Sequence, residues 1–395
     1  MSARILIAGG GVGGLCAALC LLEHGFDVQV LEAAAELREV GAGIQLSPNA
    51  MRVMRALGLE DALHSRGFRP DALEARMGRS GRRIFRIELD EDRQRRWGAP
   101  YLHIHRAALV DVLRRALLRR APGVLRLGAG VTGFAQTDDV VEAVLRNGET
   151  VRGDALLGAD GIHSVIARHI CGDDAARFTG NVAWRAVVPI DRLGAHAPDP
   201  TACVWMGEGR HAVTYRLDRG RLANFVGVVE RGDWTAESWT EPGPRHEALA
   251  DFEGWHPVVT TLIARADTLH RWALFDRPPR PQWVEGRVAL LGDAAHPMLP
   301  FMAQGAAQAI EDGWVVARAL QRHDSVGVAL RHYAANRQAR TARVQAASRG
   351  NMGTFHRRSL AAKLATYGPM WLAGRVAPEF VAGRQDWIYG HDVTR

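Results

Sequence analysis

Apolar residues are arranged in two different patterns along this chain. Residues 5–8 and 155–158 are unbroken runs of apolar and small residues, which is typical of strands buried on both faces. Between about 182 and 229, apolar and polar residues instead alternate in the segments VAWRAVVPI, CVWMG, HAVTYRLD and LANFVGVVE, with short turns between the later ones. This alternation predicts an antiparallel meander. Unbroken apolar runs return beyond Trp272 in RVALLGD, so the pattern predicts one domain that is interrupted by an antiparallel sheet.

Several helix boundaries can also be predicted. Ser47 and Pro48 have the residue types of an N-cap and a first helical position, and they predict a helix that continues through Ala56. Residues 101–104 predict a strand, and residues 107–118 predict the helix that follows it.

The composition is that of a globular protein. The chain has 395 residues, of which 47% are hydrophobic and 24% charged, and this length is enough for two or three domains. The formal net charge is +7, but the basic residues are scattered, and their densest patch, 88–96, is interrupted by acids. A solvated surface explains that pattern better than a nucleic-acid site does. The chain is expected to be a monomer or a homodimer.

The apolar run at residues 5–22 has the length of a membrane span, since it holds 18 residues without a charge. Five of them are glycines, clustered where a strand should turn into a helix, which argues against a membrane segment. Four cysteines are present and no CxxC pair, so we expect reduced thiols and a cytoplasmic protein. His103 and His105 have no third ligand in view, so no metal site is predicted.

A glycine-rich turn follows the first predicted strand. Gly9 permits a tight turn, Gly11 allows the backbone to approach a pyrophosphate, and Gly14 allows the next helix to pack closely. The second strand ends at Glu32, where a carboxylate can accept a hydrogen bond from a ribose hydroxyl. The complete strand, turn, helix, strand and acid arrangement predicts an adenine dinucleotide site, with the phosphates at the helix N-terminus.

A second GxGxxG match at residues 128–133 is interpreted as accidental. The residues after it reach Asn147-Gly148, a hairpin signal between β-rich runs, and no helix and second strand follow.

A third segment carries a lone acid at the end of a buried strand. RVALLGD ends in Asp293, a proline-bearing loop follows, and a helix of small residues is predicted from Gly305 and Ala306. The free N–H groups of a helix start stabilise negative charge. A polar, partly anionic ligand is therefore expected between Asp293 and this helix.

Three motifs in this order resemble the group A, single-component flavoprotein aromatic hydroxylases. They are the first GxGxxG with Glu32, the segment GADGIHSVIAR at residues 158–168, and GRVALLGDAAHP around Asp293. The chain is most similar to the branch of salicylate, 3-hydroxybenzoate and 6-hydroxynicotinate hydroxylases. The resemblance covers nearly the whole chain, including DWIYG at 386–390.

The resemblance implies an α/β (α+β) fold, in which an antiparallel-sheet substrate domain interrupts a Rossmann-like FAD-binding domain and helices follow at the C-terminus. The expected bounds are 1–70, 98–178 and 276–347 for the FAD-binding domain, 71–97 and 179–275 for the substrate domain, and 348–395 for the helical segment.

The family also implies bound FAD, NADH or NADPH as a transient co-substrate, and O2. Carried over residue by residue, the expected cofactor-binding positions are Gly9, Gly11, Gly13, Gly14, Glu32, Ala33, Arg106, Val131, Asp160, Asp293, Gly305 and Ala306. Among these, Asp293 is expected to bind the ribityl hydroxyls, and the helix that starts at Gly305 is expected to face the pyrimidine end of the reduced flavin.

Two residues of the meander are expected to carry the chemistry. His211 and Tyr215 have the same parity on one strand and therefore point to one face. They resemble the base and its tyrosine partner in this branch. There the base removes or shares the phenolic proton, which makes the ring electron-rich enough to react with the electrophilic oxygen of the flavin C4a-hydroperoxide. Cys203 and Trp205 of the preceding strand are expected on that face as well.

The substrate wall on the flavin side is expected to include Gln45, Pro300, Phe301 and Met302. Hydroxynicotinate-type members tend to have histidines where this chain has Gln45 and Phe301, which favours a benzenoid phenol over a pyridine. Arg185 and Arg216 are candidates to meet a substrate carboxylate.

The predicted function is therefore NAD(P)H- and O2-dependent hydroxylation of a small phenolic aromatic, of the salicylate-like hydroxy-acid type. Two alternatives stay open at this stage: a flavin-dependent oxidoreductase without oxygen insertion, and a non-catalytic nucleotide-binding protein.

Overall fold

The computed structural model describes residues 3–37, 43–172, 176–232 and 242–395. Eighteen strands lie in these ranges: β1 (Arg4–Ala8), β2 (Asp27–Leu31), β3 (Gly43–Leu46), β4 (Ala72–Met77), β5 (Arg83–Glu88), β6 (Leu102–His105), β7 (Leu125–Arg126), β8 (Val131–Gln136), β9 (Val141–Leu145), β10 (Thr150–Gly153), β11 (Ala155–Gly158), β12 (Arg177–Pro189), β13 (Ala202–Gly207), β14 (Arg210–Leu217), β15 (Leu222–Glu230), β16 (His270–Asp276), β17 (Val284–Glu285) and β18 (Val288–Leu290).

Thirteen α-helices lie in the same described ranges: α1 (Val12–Glu23), α2 (Pro48–Ala56), α3 (Glu60–His64), α4 (Glu91–Trp97), α5 (Arg106–Arg120), α6 (Val165–Cys171), α7 (Arg245–Asp251), α8 (Pro257–Arg265), α9 (Gly305–Arg322), α10 (Val326–Phe355), α11 (Leu360–Val376), α12 (Pro378–Gly383) and α13 (Asp386–Tyr389).

A six-stranded sheet carries the first glycine motif. Its order is β17-β18-β11-β1-β2-β7, and the strands from β18 to β7 run parallel. β1 and α1 form the predicted strand and helix, and Glu32 follows directly after β2. α9 packs so closely on α1 that a Cβ on Gly313 would lie 2.9 Å from the backbone N of Ala17. The expected α/β arrangement is confirmed for this part of the chain.

The second glycine match at 128–133 belongs to a different structure. It leads into β8, which forms a three-stranded antiparallel sheet in the order β10-β9-β8. Gly148 has a φ of +84° in the turn between β9 and β10, as the Asn-Gly signal predicts. The interpretation of this match as accidental is confirmed.

A seven-stranded sheet in the order β16-β12-β15-β14-β13-β4-β5 forms the other large layer. β13, β14 and β15 are consecutive antiparallel neighbours, as expected. The meander is interrupted in two ways, because β12 pairs with β15 instead of β13, and β4 joins β13 in parallel. The inserted sheet is therefore mixed at one edge.

From α9 onward, where every residue is described, the chain forms no further strand, and the segment 348–395, expected to hold helices, contains the end of α10 and all of α11, α12 and α13. α10 is continuous over 30 residues and runs through the boundary expected at 347/348. α11 and α12 then pack against β5 at the edge of the seven-stranded sheet. None of the helices in the part of the chain that the structure describes has the length and apolarity that a bilayer crossing needs.

Candidate active site

The turn after β1 has the geometry that a pyrophosphate needs. Gly9 has a φ of +107°, and a Cβ there would lie 2.4 Å from the carbonyl oxygen of Ala159. Gly11 is the N-cap of α1, no side chain caps this helix, and a Cβ on Gly11 would meet nothing within 4 Å. The start of α1 thus has no side-chain cap and has open space beside Gly11, which suits an anionic ligand at the free N–H groups of a helix start.

The two remaining glycines of this turn provide close packing. A Cβ on Gly14 would lie 2.0 Å from the Gly9 carbonyl oxygen, and one on Gly13 would lie 3.0 Å from Leu291. They allow α1 to start directly above the sheet.

Glu32 is fixed beside the turn by two backbone hydrogen bonds. The N–H of Gly10 donates to its Oε2 at 2.5 Å, and the N–H of Ala34 donates to its Oε1 at 2.7 Å. Each carboxylate oxygen keeps a lone pair for a further donor, such as a ribose hydroxyl. Ala33 is exposed beside Gly130, where a Cβ would lie 3.0 Å from it, and Val131 follows in β8.

Asp293 lies in a 3-10 turn, Gly292–Ala294, which begins two residues after the end of β18. Its side chain is exposed to the cleft, yet the surrounding protein desolvates it and raises the pKa of the carboxyl, while the positive charges of His296 and Arg106 act in the opposite direction. Arg106, at the start of α5, is thereby placed in the electrostatic environment of Asp293.

The start of α9 lies next to Asp293. A Cβ on Gly305 would be 3.9 Å from Oδ1 of Asp293 and 3.8 Å from Cγ of Met298. No side chain caps this helix, and Gly305 and Ala306 both border the cavity described below. The acid and the free helix start therefore face the same space, which fits a ligand with hydroxyl groups and a partly anionic ring.

The carboxylate of Asp160 is hydrogen-bonded to nearby residues of its own segment. Its carboxylate accepts hydrogen bonds from the Ser164 hydroxyl at 2.5 Å and from the N–H of Val165 at 2.8 Å. Burial raises the pKa of Asp160, and these bonds oppose that effect. The geometry gives Asp160 a capping position at the start of α6, in addition to its place near the turn after β1.

A cavity of about 390 Å³ lies between the seven-stranded sheet and the loop before α9. Its polar residues include Asp293 on the α9 side and His211 and Tyr215 on the sheet side. Most of the remaining wall is apolar, and includes Val204, Val213, Val226, Val228, Phe301, Met302 and Phe355. A concave, mainly apolar site with a few convergent polar groups is the usual form of a small-molecule site.

His211 and Tyr215 both lie on β14 and both border the cavity, as their common parity predicts. Burial lowers the pKa of His211, and the charge of His356 lowers it further. Burial also raises the pKa of Tyr215. Tyr215 packs against the backbone of β3, where a Cβ on Gly43 would come within 2.5 Å of its ring. A neutral imidazole and a neutral phenol thus line the sheet side.

The expectation for Cys203 and Trp205 is wrong. The register places Cys203 opposite Thr214 and Trp205 opposite Ala212, which are the alternate positions of β14. Cys203 and Trp205 both belong to the core behind the sheet, although Cys203 borders the cavity. Met206 lies directly opposite His211. The turn between β13 and β14 fixes this register, so Cys203 and Trp205 share a face with Ala212 and Thr214 and not with His211 and Tyr215.

The predicted wall residues come together at the cavity. Phe301 packs edge-on against His211 with ring centroids 5.2 Å apart, and the Tyr101 hydroxyl donates to Oε1 of Gln45 at 2.7 Å. Pro300 and Met302 belong with Phe301 to one 3-10 turn that borders the cavity.

One side of α10 supports this turn, and these residues were not among the predicted site residues. Gln345 Nε2 donates to the carbonyl of Pro297 at 2.7 Å, and Ser348 Oγ donates to that of Leu299 at 2.7 Å. Asn351 Nδ2 donates to the carbonyl of Phe301 at 3.1 Å. The spacing of three residues puts these side chains on one helix face, which is the only local signal that could have suggested them.

His103 and His105 serve the fold. His103 is fully buried, burial lowers its pKa to about 3, and its ring lies 4.7 Å from that of Tyr215. His105 Nδ1 accepts a hydrogen bond from the N–H of Ala107 at the start of α5. Within the described ranges, no group of three His, Cys, Asp or Glu side chains is arranged to hold a metal ion.

The likeness to known proteins agrees with this geometry. The family model described as "FAD binding domain" matches residues 2–348. A 3-amino-4-hydroxybenzoate 2-monooxygenase of Streptomyces platensis is 40% identical over 89% of this chain and 88% of its own length. The 3-hydroxybenzoate 6-hydroxylase 1 of Aquipseudomonas alcaligenes is 37% identical over 100% of this chain and 99% of its own.

The crystal structure of Klebsiella pneumoniae HpxO complexed with FAD and uric acid superposes with a TM-score of 0.87 at 29% identity, and covers 98% of this chain and 97% of that one.

Proposed function

The chain belongs to the family of FAD-dependent aromatic-ring monooxygenases, and on that premise we propose that it hydroxylates a small phenolic acid bound between His211 and the start of α9. One observation carries this proposal. A single cavity has a buried imidazole and a phenol on its sheet side, and Asp293 with the uncapped N-terminus of α9 on the other.

The residues around the cleft fit FAD. We assign the pyrophosphate to the turn of Gly9, Gly11 and Gly14, with the ribose hydroxyls at Glu32. The further cofactor positions are Gly13, Ala33, Arg106, Val131, Asp160, Asp293, Gly305 and Ala306. When bound, FAD supplies the redox chemistry by which NADH or NADPH and O2 introduce one oxygen atom into the ring.

Within this arrangement, His211 is assigned as the base that takes the phenolic proton. Its lowered pKa keeps the imidazole neutral at neutral pH, so a lone pair is available. Removal of that proton makes the ring electron-rich, which hydroxylation by an electrophilic oxygen requires. Tyr215, held against Gly43, is assigned to hydrogen-bond the same oxygen and orient the ring.

The wall made by Gln45, Pro300, Phe301 and Met302 is assigned to the flat face of the substrate. The apolar character of most of this wall supports a benzenoid phenol. Of the two arginine candidates for a carboxylate, Arg216 donates to the carbonyl of Pro198 at 2.9 Å. Arg185 borders the cavity, with its guanidinium carbon 4.7 Å above the ring of Trp272. We therefore assign Arg185 to the carboxylate.

Three further assignments concern the domains, the location and the assembly of the protein. We propose 1–70, 98–178 and 276–347 as the FAD-binding domain, 71–97 and 179–275 as the substrate domain, and 348–395 as the helical segment. We also propose that the protein acts in the cytoplasm, and as a monomer or a homodimer.

The test is a screen of 3-hydroxybenzoate, salicylate and 3-amino-4-hydroxybenzoate, in which NADH and NADPH oxidation, peroxide and product are measured under 18O2. We expect one 18O atom in the product of at least one acid. Oxidation that yields only peroxide with every acid would contradict hydroxylation of this class, and would favour an oxidoreductase without oxygen insertion. Arg185→Met should raise KM for the acid more than KM for the corresponding phenol without its carboxylate.

A further inference from the structure

A chain of three side chains leads from the cavity to the surface. Nδ1 of His211 lies 2.7 Å from Nε2 of His356, and Nδ1 of His356 lies 2.9 Å from Oε1 of Glu230. His356 follows the last residue of α10 and is 5% exposed, whereas the Glu230 side chain, at the end of β15, is 33% exposed. The three residues come from separate elements, so only the tertiary structure aligns them.

The hydrogen bonds in this chain have a defined direction. An ionised Glu230 can only accept, so Nδ1 of His356 carries a proton and donates it. A neutral His356 then accepts at Nε2, which makes Nδ1 of His211 the donor of the bond between the two rings. The unprotonated nitrogen of His211 is therefore Nε2, which is the nitrogen left to meet a substrate in the cavity.

Charge and burial agree with neutral rings and an ionised acid. Burial lowers the pKa of His356, although Glu230 opposes this effect. Partial burial raises the pKa of Glu230, but hydrogen bonds from Arg358 and His356 outweigh it and leave that pKa lowered. Other charges near this end of the chain include Arg210, on β14, Arg357, which follows His356 in the sequence, and the ion pair of Lys363 with Glu208.

We propose that His356 and Glu230 form a proton relay that carries the phenolic proton taken by His211 from the cavity to the protein surface. This inference rests on the proposed function, in which His211 is the base. An imidazolium on His211 would be a charge enclosed by Phe301 and Phe355, whose ring centroids lie 5.2 and 5.1 Å away. On His356 the same charge faces Glu230 and the C-terminal end of α10, and both stabilise it.

Each step conserves protons and electron pairs. The phenolic O–H bond breaks as an N–H bond forms at Nε2 of His211. The Nδ1–H bond of His211 breaks as an N–H bond forms at Nε2 of His356. The Nδ1–H bond of His356 then breaks as an O–H bond forms on Glu230, which loses the proton to water. Passage in the reverse direction, when the product phenol forms, restores both starting tautomers.

The relay predicts fast proton release when a phenol binds. The FAD-loaded protein is mixed with 3-hydroxybenzoate, salicylate or 3-amino-4-hydroxybenzoate in weakly buffered solution with a pH-indicator dye, and proton release is followed by stopped flow. Ligand binding is followed separately through the flavin spectrum. The variants are His356→Phe, which removes the middle member, and Glu230→Gln, which keeps an acceptor for His356 but cannot take the proton.

We expect both variants to bind the phenol as the unmodified protein does but to release the proton about 10- to 100-fold more slowly, the loss known for a metal-bound histidine that loses its hydrogen-bond partner. Added imidazole should restore part of the rate. Glu208→Gln, a neighbouring acid outside the chain of bonds, should release at the unmodified rate. If His356→Phe does not fold, Glu230→Gln decides the outcome.

Two contrary results can be told apart. Unchanged release rates in both relay variants, together with loss of release in His211→Asn, would overturn the relay and leave the base in place. If the unmodified protein releases no proton with any of the three acids, or if His211→Asn releases it normally, both the relay and the assigned base are wrong.

Discussion

The carboxylate of Asp312 accepts a hydrogen bond of 3.0 Å from the backbone N–H of Gly292, the residue before Asp293. The same oxygen lies 2.5 Å from Nε2 of His296, and Oδ1 accepts from Arg337 at 2.7 Å. Arg337 also pairs with Glu311, and all of these side chains are buried. A buried charged network thus holds the turn that presents Asp293 to the cavity.

Removal of Arg337 should destabilise the protein. We expect Arg337→Met to lower the free energy of unfolding by about 3–5 kcal/mol, because two buried carboxylates lose the counter-charge that they share. Urea unfolding followed by circular dichroism measures this loss. Arg331→Met, at an exposed position on the same helix, should change it by less than about 0.5 kcal/mol. Equal effects of the two substitutions would contradict a stabilising role for the network.

The same network predicts a sensitivity to acid. Burial opposes the ionisation of Glu311 and Asp312. Arg337 and Arg340 outweigh this effect at Glu311, and His296 and Arg337 outweigh it at Asp312, so the pKa of each carboxyl is lowered to about 2. A depressed carboxyl pKa contributes stability above the unfolded value, about 4, and that contribution is lost as the pH falls through the folded value. The free energy of unfolding should therefore fall between about pH 4.5 and 2. A Glu311→Gln/Asp312→Asn variant should show a smaller fall over this window.

Substitution of Gly305 should weaken FAD binding without lowering the stability of the apoprotein. An added Cβ would meet the protein only at ordinary contact distances, 3.8 Å or more. Gly305→Ala should thus be neutral or stabilising for the apoprotein, by at most about 0.5–1 kcal/mol, which is the gain of alanine over glycine in the middle of a helix. The same methyl group occupies space assigned to the flavin, so the Kd for FAD should rise. Thermal unfolding of the apoprotein and fluorescence titration with FAD measure the two effects, and an unchanged Kd would place the flavin elsewhere.

Asp293 and Glu32 should each be needed for FAD retention. Asp293→Ala and Glu32→Ala remove acceptors for ligand hydroxyls, and hydrogen bonds to charged groups contribute about 1.5–3 kcal/mol each. Each variant should bind FAD at least about tenfold more weakly, since 1.4 kcal/mol is a factor of ten. FAD absorbance per protein and titration of the apoprotein provide the measurement, with the exposed acid Asp191→Ala as the control. Full occupancy in both variants would refute these cofactor assignments.

His211 should be needed for hydroxylation but not for reduction. His211→Ala should retain FAD and its reduction by NADH, and should form product about 10²- to 10⁴-fold more slowly, the usual contribution of a general base. Anaerobic stopped-flow reduction and product formation, measured on one preparation across pH, separate the two half-reactions. Product formation at the unmodified rate would leave His211 with a structural role.

Local sequence determined the parts of this protein that depend on neighbours in the chain. The strand, turn and helix around Gly9 follow from glycine geometry and apolar runs. The shared face of His211 and Tyr215 follows from the period of two in a strand, and the start of α9 at Gly305 follows from its small residues. Each of these features needs only residues within a few positions of one another.

Tertiary structure decided the contacts between residues far apart in the sequence. The turn after Gly207 sets the register that puts Met206, and not Trp205, opposite His211. His356 meets Glu230 across 126 positions, and α10 reaches the wall of the cavity from about 50 positions away. The periodicity of apolar residues cannot predict such contacts, because they depend on how whole helices and strands pack against one another. The sequence alone therefore predicted the glycine turn after β1 and the shared face of His211 and Tyr215, and packing alone determined what lies behind His211.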